Sequence, residues 1–183
     1  METYVSFLRG VNMTGHNSIK MIDLADLYRK LGFKDAETYI QSGNVLFSSD
    51  GRLNESELGL KIEKGILERF NYKVPVMLRT NKELTDLFTS NPFLEEPRFD
   101  PSKMAVIFLH DAPSDNQLQK VADVDYPPDK FKIIGKEIFI YCPNGFGRTK
   151  IYTTFFEKKM KVSGTGRNWK TITAILSMSE KKI

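Results

Sequence analysis

The stretch YVSFLRGVNMTGHNSIK covers residues 4 to 20. Its first five residues form an apolar run that favours a buried β-strand, and the residues after the stretch have apolar positions at helical spacing. The connection contains two glycines together with amide, hydroxyl and cationic side chains, which is more than a simple turn requires. The stretch therefore predicts a strand, a specialised loop and then a helix.

The segments that follow predict a βαββαβ order with one additional helix, which is the pattern of a ferredoxin-like unit. Asn54 and Glu57 resemble a capping box at the start of the second helix, and Gly32 is placed to end the first. The predicted strands are Thr3–Leu8, Glu37–Ile40, Val45–Ser48 and Val74–Leu78, and the predicted helices begin at Met21, Asn54 and Lys82.

The same order recurs in the second half of the chain. The predicted strands there are Met104–Leu109, Lys130–Ile134, Ile138–Tyr141 and Val162–Thr165, and the predicted helices are Ser114–Ala122, Thr149–Met160 and Trp169–Met178. The two halves also align by residue at their ends, RTNKELT at 79–85 with RNWKTIT at 167–173. We therefore predict an α+β fold of two tandem ferredoxin-like units, residues 1–98 and 99–183, each with an antiparallel sheet and an extra trailing helix.

Ferredoxin-like topology places the loop after the first strand and the hairpin between the second and third strands at the same end of a sheet. In the first unit this end is rich in cations and amides. The second unit is polar at the opposite end, where the loop over residues 142–150 and the segment over residues 166–169 share a rim. The predicted ligand-binding residues are Arg9, Asn12, Asn17, Lys20, Gln41, Ser42 and Asn44 in the first unit and Arg148, Lys150, Arg167, Asn168 and Trp169 in the second. We expect these ends to form one basic cleft for a phosphate-bearing ligand, since loops that feed helix N-termini favour anions.

Several of these residues also have a purely architectural interpretation. The three asparagines are equally suited to tying loops to the backbone, and Arg167 is suited to pairing with a carboxylate such as Glu157. Trp169 opens an amphipathic helix, where a packed anchor is more common than a stacking platform. Both interpretations stay open at the level of sequence.

Several motifs together resemble one family. RGVNxxGxN at residues 9–17, YIQSGN at 39–44, NPF at 91–93, GRTK at 147–150, FFE at 155–157 and RNWxT at 167–171 resemble the bacterial domain-of-unknown-function 1697 family. The resemblance implies no particular activity. This chain has Thr14-Gly15-His16 where the family pattern has Gly-Gly-Lys, so the permanent cation of the pattern is absent at residue 16.

Charge, cysteine content and the length of apolar runs exclude several classes of protein. The net charge is +4 with a pI near 9.0, and the single cysteine, Cys142, excludes an internal disulfide and fits a reducing compartment. No apolar run approaches the length of a membrane span, so we expect a cytoplasmic protein. No HExxH, CxxC or similar spacing occurs, so we predict no metal and no cofactor, and no acid–base pair suggests catalysis.

Three functions are consistent with these features of the sequence. Binding of a small phosphorylated ligand accounts best for polar residues concentrated in loops. A nucleic-acid-binding module fits the positive charge, but Val45-Leu46-Phe47 lacks the aromatic run of an RNA-recognition sheet. A structural or protein-interaction role, in which the loop residues only set turns, is the third. We expect a monomer or weak homodimer.

Overall fold

The computed structural model describes residues 1–13 and 15–181. Within them the chain forms an α+β fold with two four-stranded antiparallel sheets and six α-helices. Contacts group the residues into two compact units, Met1–Asp86 with the C-terminal residues from Ile175, and Leu87–Ala174. The division at residues 98 and 99 stays a prediction about the repeat, whereas these contacts define how the folded chain is grouped.

The first unit contains one sheet and the helices that follow its strands. Its elements are β1 (Glu2–Leu8), α1 (Met21–Lys30), β2 (Lys34–Tyr39), β3 (Asn44–Ser49), α2 (Glu55–Phe70), β4 (Val76–Thr80) and the start of α3 (Asn81–Thr89). The strand order is β2-β3-β1-β4, and every neighbouring pair is antiparallel. β1 is therefore central and β4 is an edge strand, a position that suits the preceding Pro75 because proline has no N–H for a ladder hydrogen bond.

Helices α1 and α2 cover one face of this sheet. Their buried leucines and isoleucines pack on strand residues such as Tyr4, Val45 and Phe47. The opposite face, which includes Val5 and Leu46, is buried as well. Strands buried on both faces carry apolar residues at successive positions, which explains the run Val45-Leu46-Phe47 in β3.

The ends of α1 and α2 follow the signals in the sequence. Asn54 accepts a hydrogen bond from the Glu57 N–H (3.0 Å), and the Glu57 carboxylate accepts one from the Asn54 N–H (2.8 Å), which completes the predicted capping box. Gly32 adopts a φ of +89° directly after α1, which only glycine does without strain. Local chemistry alone therefore sets these boundaries.

The second unit repeats the order of the first. Its elements are β5 (Met104–Leu109), α4 (Asp115–Gln119), β6 (Lys130–Ile134), β7 (Glu137–Tyr141), α5 (Thr153–Met160), β8 (Gly164–Asn168) and the start of α6 (Trp169–Glu180). The strand order is β6-β7-β5-β8, again antiparallel throughout. Its core joins Ile107, Ile138 and Ile140 of the sheet to Phe156 and Met160 of α5.

Several element boundaries differ from the sequence expectation, among them those of β4 (Val76–Thr80 instead of Val74–Leu78) and β8 (Gly164–Asn168 instead of Val162–Thr165). β2 begins at Lys34 rather than Glu37, because a β-bulge between these residues interrupts the alternation that marks a strand. α4 is only five residues long and ends at Gln119. α5 begins at Thr153 rather than Thr149, because a 3₁₀ turn over Phe146–Arg148 precedes it.

No helix in the described part of the chain is both long and apolar enough to cross a membrane.

Candidate functional site

The loop after β1 and the hairpin between β2 and β3 meet at one end of the first sheet. The Leu8 N–H donates to the Gly43 carbonyl (2.8 Å), and the Asn12 side-chain amide donates to the Gln41 carbonyl (2.8 Å). Gly43 lies so close to the loop that an added Cβ would be 2.8 Å from the Leu8 Cβ. The structure thus brings together the two loops of the first unit, as the topology predicts.

The three asparagines of this cluster tie the loops to the backbone. The Asn12 side chain forms two hydrogen bonds with the backbone of Ile19. Its amide donates to the Ile19 carbonyl (2.9 Å), and its oxygen accepts from the Ile19 N–H (2.8 Å). Asn17 donates to the Gly10 carbonyl (3.1 Å), and Asn44 donates to the Tyr39 carbonyl (2.9 Å). These contacts support the architectural interpretation of the asparagines, and their role as ligand contacts stays a prediction.

The other predicted residues of this cluster lie nearer to solvent. Lys20 and Gln41 are exposed, Arg9 and Ser42 are half-buried, and Lys20 precedes α1 without a side-chain cap. His16 is exposed, and its N–H donates to the Met13 carbonyl (2.9 Å). Thr14, part of the departure from the family pattern, lies outside the described residues.

The second predicted cluster is at one end of the second sheet. Tyr141, the last residue of β7, pairs with Met104, and Asn168, the last residue of β8, pairs with Ala105. The loop that leaves β7 and the segment that ends β8 therefore lie beside the same end of β5. The loop is anchored there by the Cys142 N–H, which donates to the Lys103 carbonyl (2.8 Å).

Arg148 and Lys150 are the exposed cations of this loop. Neither forms an ion pair with any residue in the described ranges, and the Lys150 ammonium lies 5.6 Å from the centre of the Tyr126 ring. Gly145 has a φ of +83°, and an added Cβ there would be 3.8 Å from the Lys103 ammonium. Three cationic side chains thus belong to one end of the second sheet.

The predicted site residues of β8 and α6 form hydrogen bonds or packing contacts within the protein. Arg167 is buried, and its guanidinium donates to the Thr165 hydroxyl and the Gly166 carbonyl, both at 2.8 Å. Burial lowers the pKa of Arg167 to about 10, so the side chain is still a cation at neutral pH. Asn168 caps α6, since its side-chain oxygen accepts from the Thr171 N–H (2.8 Å).

Trp169 is a packed anchor. It is buried, and its ring lies 4.5 Å, centre to centre, from the ring of Phe88. Glu157, the suggested partner of Arg167, accepts a hydrogen bond from the Gly164 N–H (3.2 Å). Tertiary contacts thus assign Asn168 and Trp169 to holding β8 and α6 in place, and a ligand-binding role of these residues stays a prediction.

Cys142 is buried beside the second cluster. Burial raises the pKa of its thiol to about 11; the Thr149 side chain opposes this rise and the Asp129 carboxylate adds to it. The thiol is therefore protonated throughout the physiological pH range and a poor nucleophile.

We expect Cys142 in the native protein to react with iodoacetamide at pH 8 at least about tenfold more slowly than in urea, because only the exposed thiolate reacts. The raised pKa of Cys142 also predicts how the stability of the fold changes with pH. The folded state keeps its proton between about pH 9 and 11 while the unfolded thiol loses it, so stability should fall as the pH rises through this interval. Mass spectrometry of the alkylated protein measures the first effect; equal rates in both states would contradict it.

The structure also contains a groove in the second unit that the sequence does not predict. It has a volume of about 660 Å³, within the range of ligand sites, and is lined by α4, the segment that follows it, β6 and Ile151. Its lining comes from separate segments of the chain, so no local motif marks it. No cluster of three or more His, Cys, Asp or Glu side chains suited to a metal occurs among the residues that the structure describes.

The fold and its loops define an α+β protein in which polar segments gather at one end of each antiparallel sheet. The family described as "Protein of unknown function (DUF1697)" matches residues 1–139, and the chain belongs to this family. The resemblance noted in the sequence is thereby confirmed.

One solved structure supports the fold over the whole chain. The conserved bacterial protein SP0830 from Streptococcus pneumoniae is 21% identical in sequence, with a TM-score of 0.73, and the match covers 97% of this chain and 98% of that one. At this identity the similarity concerns the fold alone. No curated protein matches the chain.

Proposed function

We propose that the protein binds a small phosphate-bearing ligand at the basic loop of the second unit, defined here as residues 142–152. The observation that carries the proposal is the pair of exposed cations, Arg148 and Lys150, which have no carboxylate partner within the described residues. Exposed cations that are not used in ion pairs are available for an anion. Lys103 adds a third positive charge beside Gly145.

The backbone of the loop suits an anion as well. α5 follows the loop, and its N-cap residue Tyr152 makes no side-chain capping bond. The amides of Thr153 and Thr154 have no hydrogen-bond acceptor among the described residues, so the first turn of α5 offers free N–H groups. An added Cβ at Gly147 would meet no atom within 4 Å, so a ligand has room to approach the backbone there.

The proposal predicts a thermal shift with small phosphates. The probes are inorganic phosphate, pyrophosphate, mononucleotides, sugar phosphates and short single-stranded oligonucleotides, each tested on the whole protein. A probe at about 100 times its dissociation constant should add about 2.7 kcal/mol, a rise of about 5 to 10 °C in Tm. Replacing both cations, Arg148→Ala with Lys150→Ala, should abolish the rise.

A charge-matched control separates a site from general attraction. Lys158 and Lys159 are exposed on the last turn of α5, so Lys158→Ala with Lys159→Ala removes the same charge away from the loop. Retention of the shift in this control and its loss in the loop variant would support the proposal. Equal loss in both, or a shift with oligonucleotides alone, would favour the nucleic-acid alternative, and no shift with any probe would favour a structural or protein-interaction role.

Arg9→Ala tests the first loop separately. Arg9 is half-buried at the end of β1, and the loop it begins carries most of the predicted contacts of the first unit. Loss of the shift in this variant would add the first cluster to the binding residues.

We also infer that the fold is a tandem duplication of a ferredoxin-like unit. Two observations support this: the strand orders β2-β3-β1-β4 and β6-β7-β5-β8 correspond position by position, and Arg79 and Arg167 are buried at equivalent places before the trailing helices. A cytoplasmic location, proposed from the single cysteine, and a monomeric or weakly dimeric state complete the proposal. Fractionation of cells and sedimentation of the purified protein test these two points.

A further inference from the structure

The four edge strands of the two sheets differ in how their outer backbone groups are satisfied. β2 and β4 are the edges of the first sheet, and β6 and β8 are the edges of the second. An edge strand has N–H and C=O groups that point away from the sheet, and these can pair with another strand. Proteins commonly block such edges with charged side chains or bulges.

β4 is blocked by carboxylates at both ends. The Val76 N–H donates to the Glu63 carboxylate (2.9 Å), and the Thr80 N–H donates to the Glu83 carboxylate (2.8 Å). A strand that approached this edge would have to displace two charge-assisted hydrogen bonds, so β4 is protected.

β8 and β2 are protected in a similar way. On β8 the Gly164 N–H donates to the Glu157 carboxylate (3.2 Å). On β2 the Ala36 carbonyl accepts from the Arg29 guanidinium (3.3 Å), and the bulge after Lys34 disrupts the edge further. Three of the four edges therefore have a charged side chain on an outer backbone group.

β6 carries the exposed Lys130 and Lys132, but no charged side chain forms a hydrogen bond with an outer backbone group of Phe131 or Ile133 in the described part of the protein. Ile134 and Glu137 flank a two-residue turn, and the pair that flanks such a turn is hydrogen-bonded, so alternate residues along β6 turn outward. The outward residues are Phe131 and Ile133. No side chain in the described part of the protein forms a hydrogen bond with the backbone of either residue.

The open edge of β6 also lines the groove of about 660 Å³. Four successive residues, 130 to 133, line it, although successive side chains of a strand point to opposite faces. The groove therefore runs along the edge of the strand and not over one face. Its other wall combines the apolar side chains of Leu118, Val121 and Val124 with Asp125 and Tyr126, and Asp129 lines it next to the start of β6.

We propose that the edge of β6 binds an extended segment of a partner protein, which adds a fifth strand to the second sheet. Backbone hydrogen bonds to Phe131 and Ile133 provide the pairing, as in other cases of strand addition. Side chains on one face of the bound segment meet the apolar part of this wall at Leu118 and Val121. Those on the other face lie beside Lys132, which is exposed and has no ion-pair partner in the described ranges, whereas Lys130 is already paired with Glu96 (2.7 Å).

The surroundings of the two faces of the bound segment indicate which side chains the segment should carry. A strand alternates its side chains, so the segment should carry apolar residues at every second position and at least one acidic residue between them. The occupant to which the proposal commits is therefore an extended peptide with alternating apolar and acidic side chains. A second copy of this chain is the competing occupant.

Selection from a phage-displayed library of linear 12-residue peptides tests the proposal on the whole protein. Ile133→Pro removes one outward N–H and adds a ring at the edge, but spares the hydrogen bonds to β7. Ile133→Ala is the matched control, since it loses the same side chain and keeps the N–H. Synthetic copies of the enriched peptides should bind the wild type and Ile133→Ala, and should bind Ile133→Pro at least about tenfold more weakly in fluorescence polarisation.

Lys132→Glu provides a second variant whose folding is not at risk, because this side chain is exposed. It should weaken binding of the acidic peptides and improve binding of copies in which lysine replaces the acid. Peptides that bind wild type and Ile133→Pro equally, or an empty selection, would overturn the proposal. So would a dimer in sedimentation that Ile133→Pro dissociates, because the edge would then be occupied by a second copy.

Discussion

Phe47→Ala is expected to lower the free energy of unfolding by about 3 to 5 kcal/mol, the largest loss from any single side chain considered for this protein. Phe47 is fully buried on β3, and its ring lies 5.7 Å from that of Tyr4, 5.3 Å from that of Tyr28 and 4.6 Å from that of Phe33. Alanine would remove these contacts and leave a cavity where α1 packs on the first sheet. Because the strand and helix backbones hold their positions, the core cannot close the space fully.

Urea unfolding followed by circular dichroism measures this loss. Leu60→Ala is a suitable control, because Leu60 is 64% exposed on α2 and its truncation should cost less than about 1 kcal/mol. Comparable losses in the two variants would show that the aromatic cluster is not the centre of the first core.

Gly43→Ala should be the most damaging substitution in the loops, with an expected loss of about 2 to 5 kcal/mol. The φ of Gly43 is +73°, which costs a residue with a Cβ about 1 to 2 kcal/mol. The added Cβ would also lie 2.8 Å from the Leu8 Cβ and 2.9 Å from Val11 Cγ2, and both atoms belong to buried side chains. Overpacking of this kind adds about 1 to 3 kcal/mol.

Gly10→Ala separates these two effects. Gly10 has nearly the same φ, +69°, but an added Cβ there would meet no atom within 4 Å. This variant should lose only the backbone contribution, about 1 to 2 kcal/mol, in the same urea experiment. A loss as large as that of Gly43→Ala would mean that the close approach of the hairpin to the loop after β1 carries no weight.

The order of the elements and several of their ends follow from local signals in the sequence. Apolar periodicity placed α1 and α2 on the chain, and Asn54, Glu57 and Gly32 set their boundaries, because these signals act over a few neighbouring residues. The βαββαβ order then placed Asn12 and Gln41 at the same end of the first sheet, where the structure joins them by a hydrogen bond.

The sequence misplaced boundaries where the backbone departs from regular geometry. The bulge in β2 and the 3₁₀ turn at Phe146–Arg148 both break the periodicity from which strands and helices are inferred. The short α4 also shows this, since the chain after Gln119 continues in turns, from which Val121 packs against the core.

The roles of the polar residues depend on tertiary packing, which the sequence does not reveal. Arg167 and Arg148 are the same residue type in one predicted cluster, but the fold buries the first against Thr165 and leaves the second exposed. The sequence likewise did not predict the open edge of β6 or its groove. Both depend on which side chains from distant segments of the chain lie against that edge. Local interactions fix the elements, whereas burial and the partners of each polar group arise only when segments far apart in the chain are packed together.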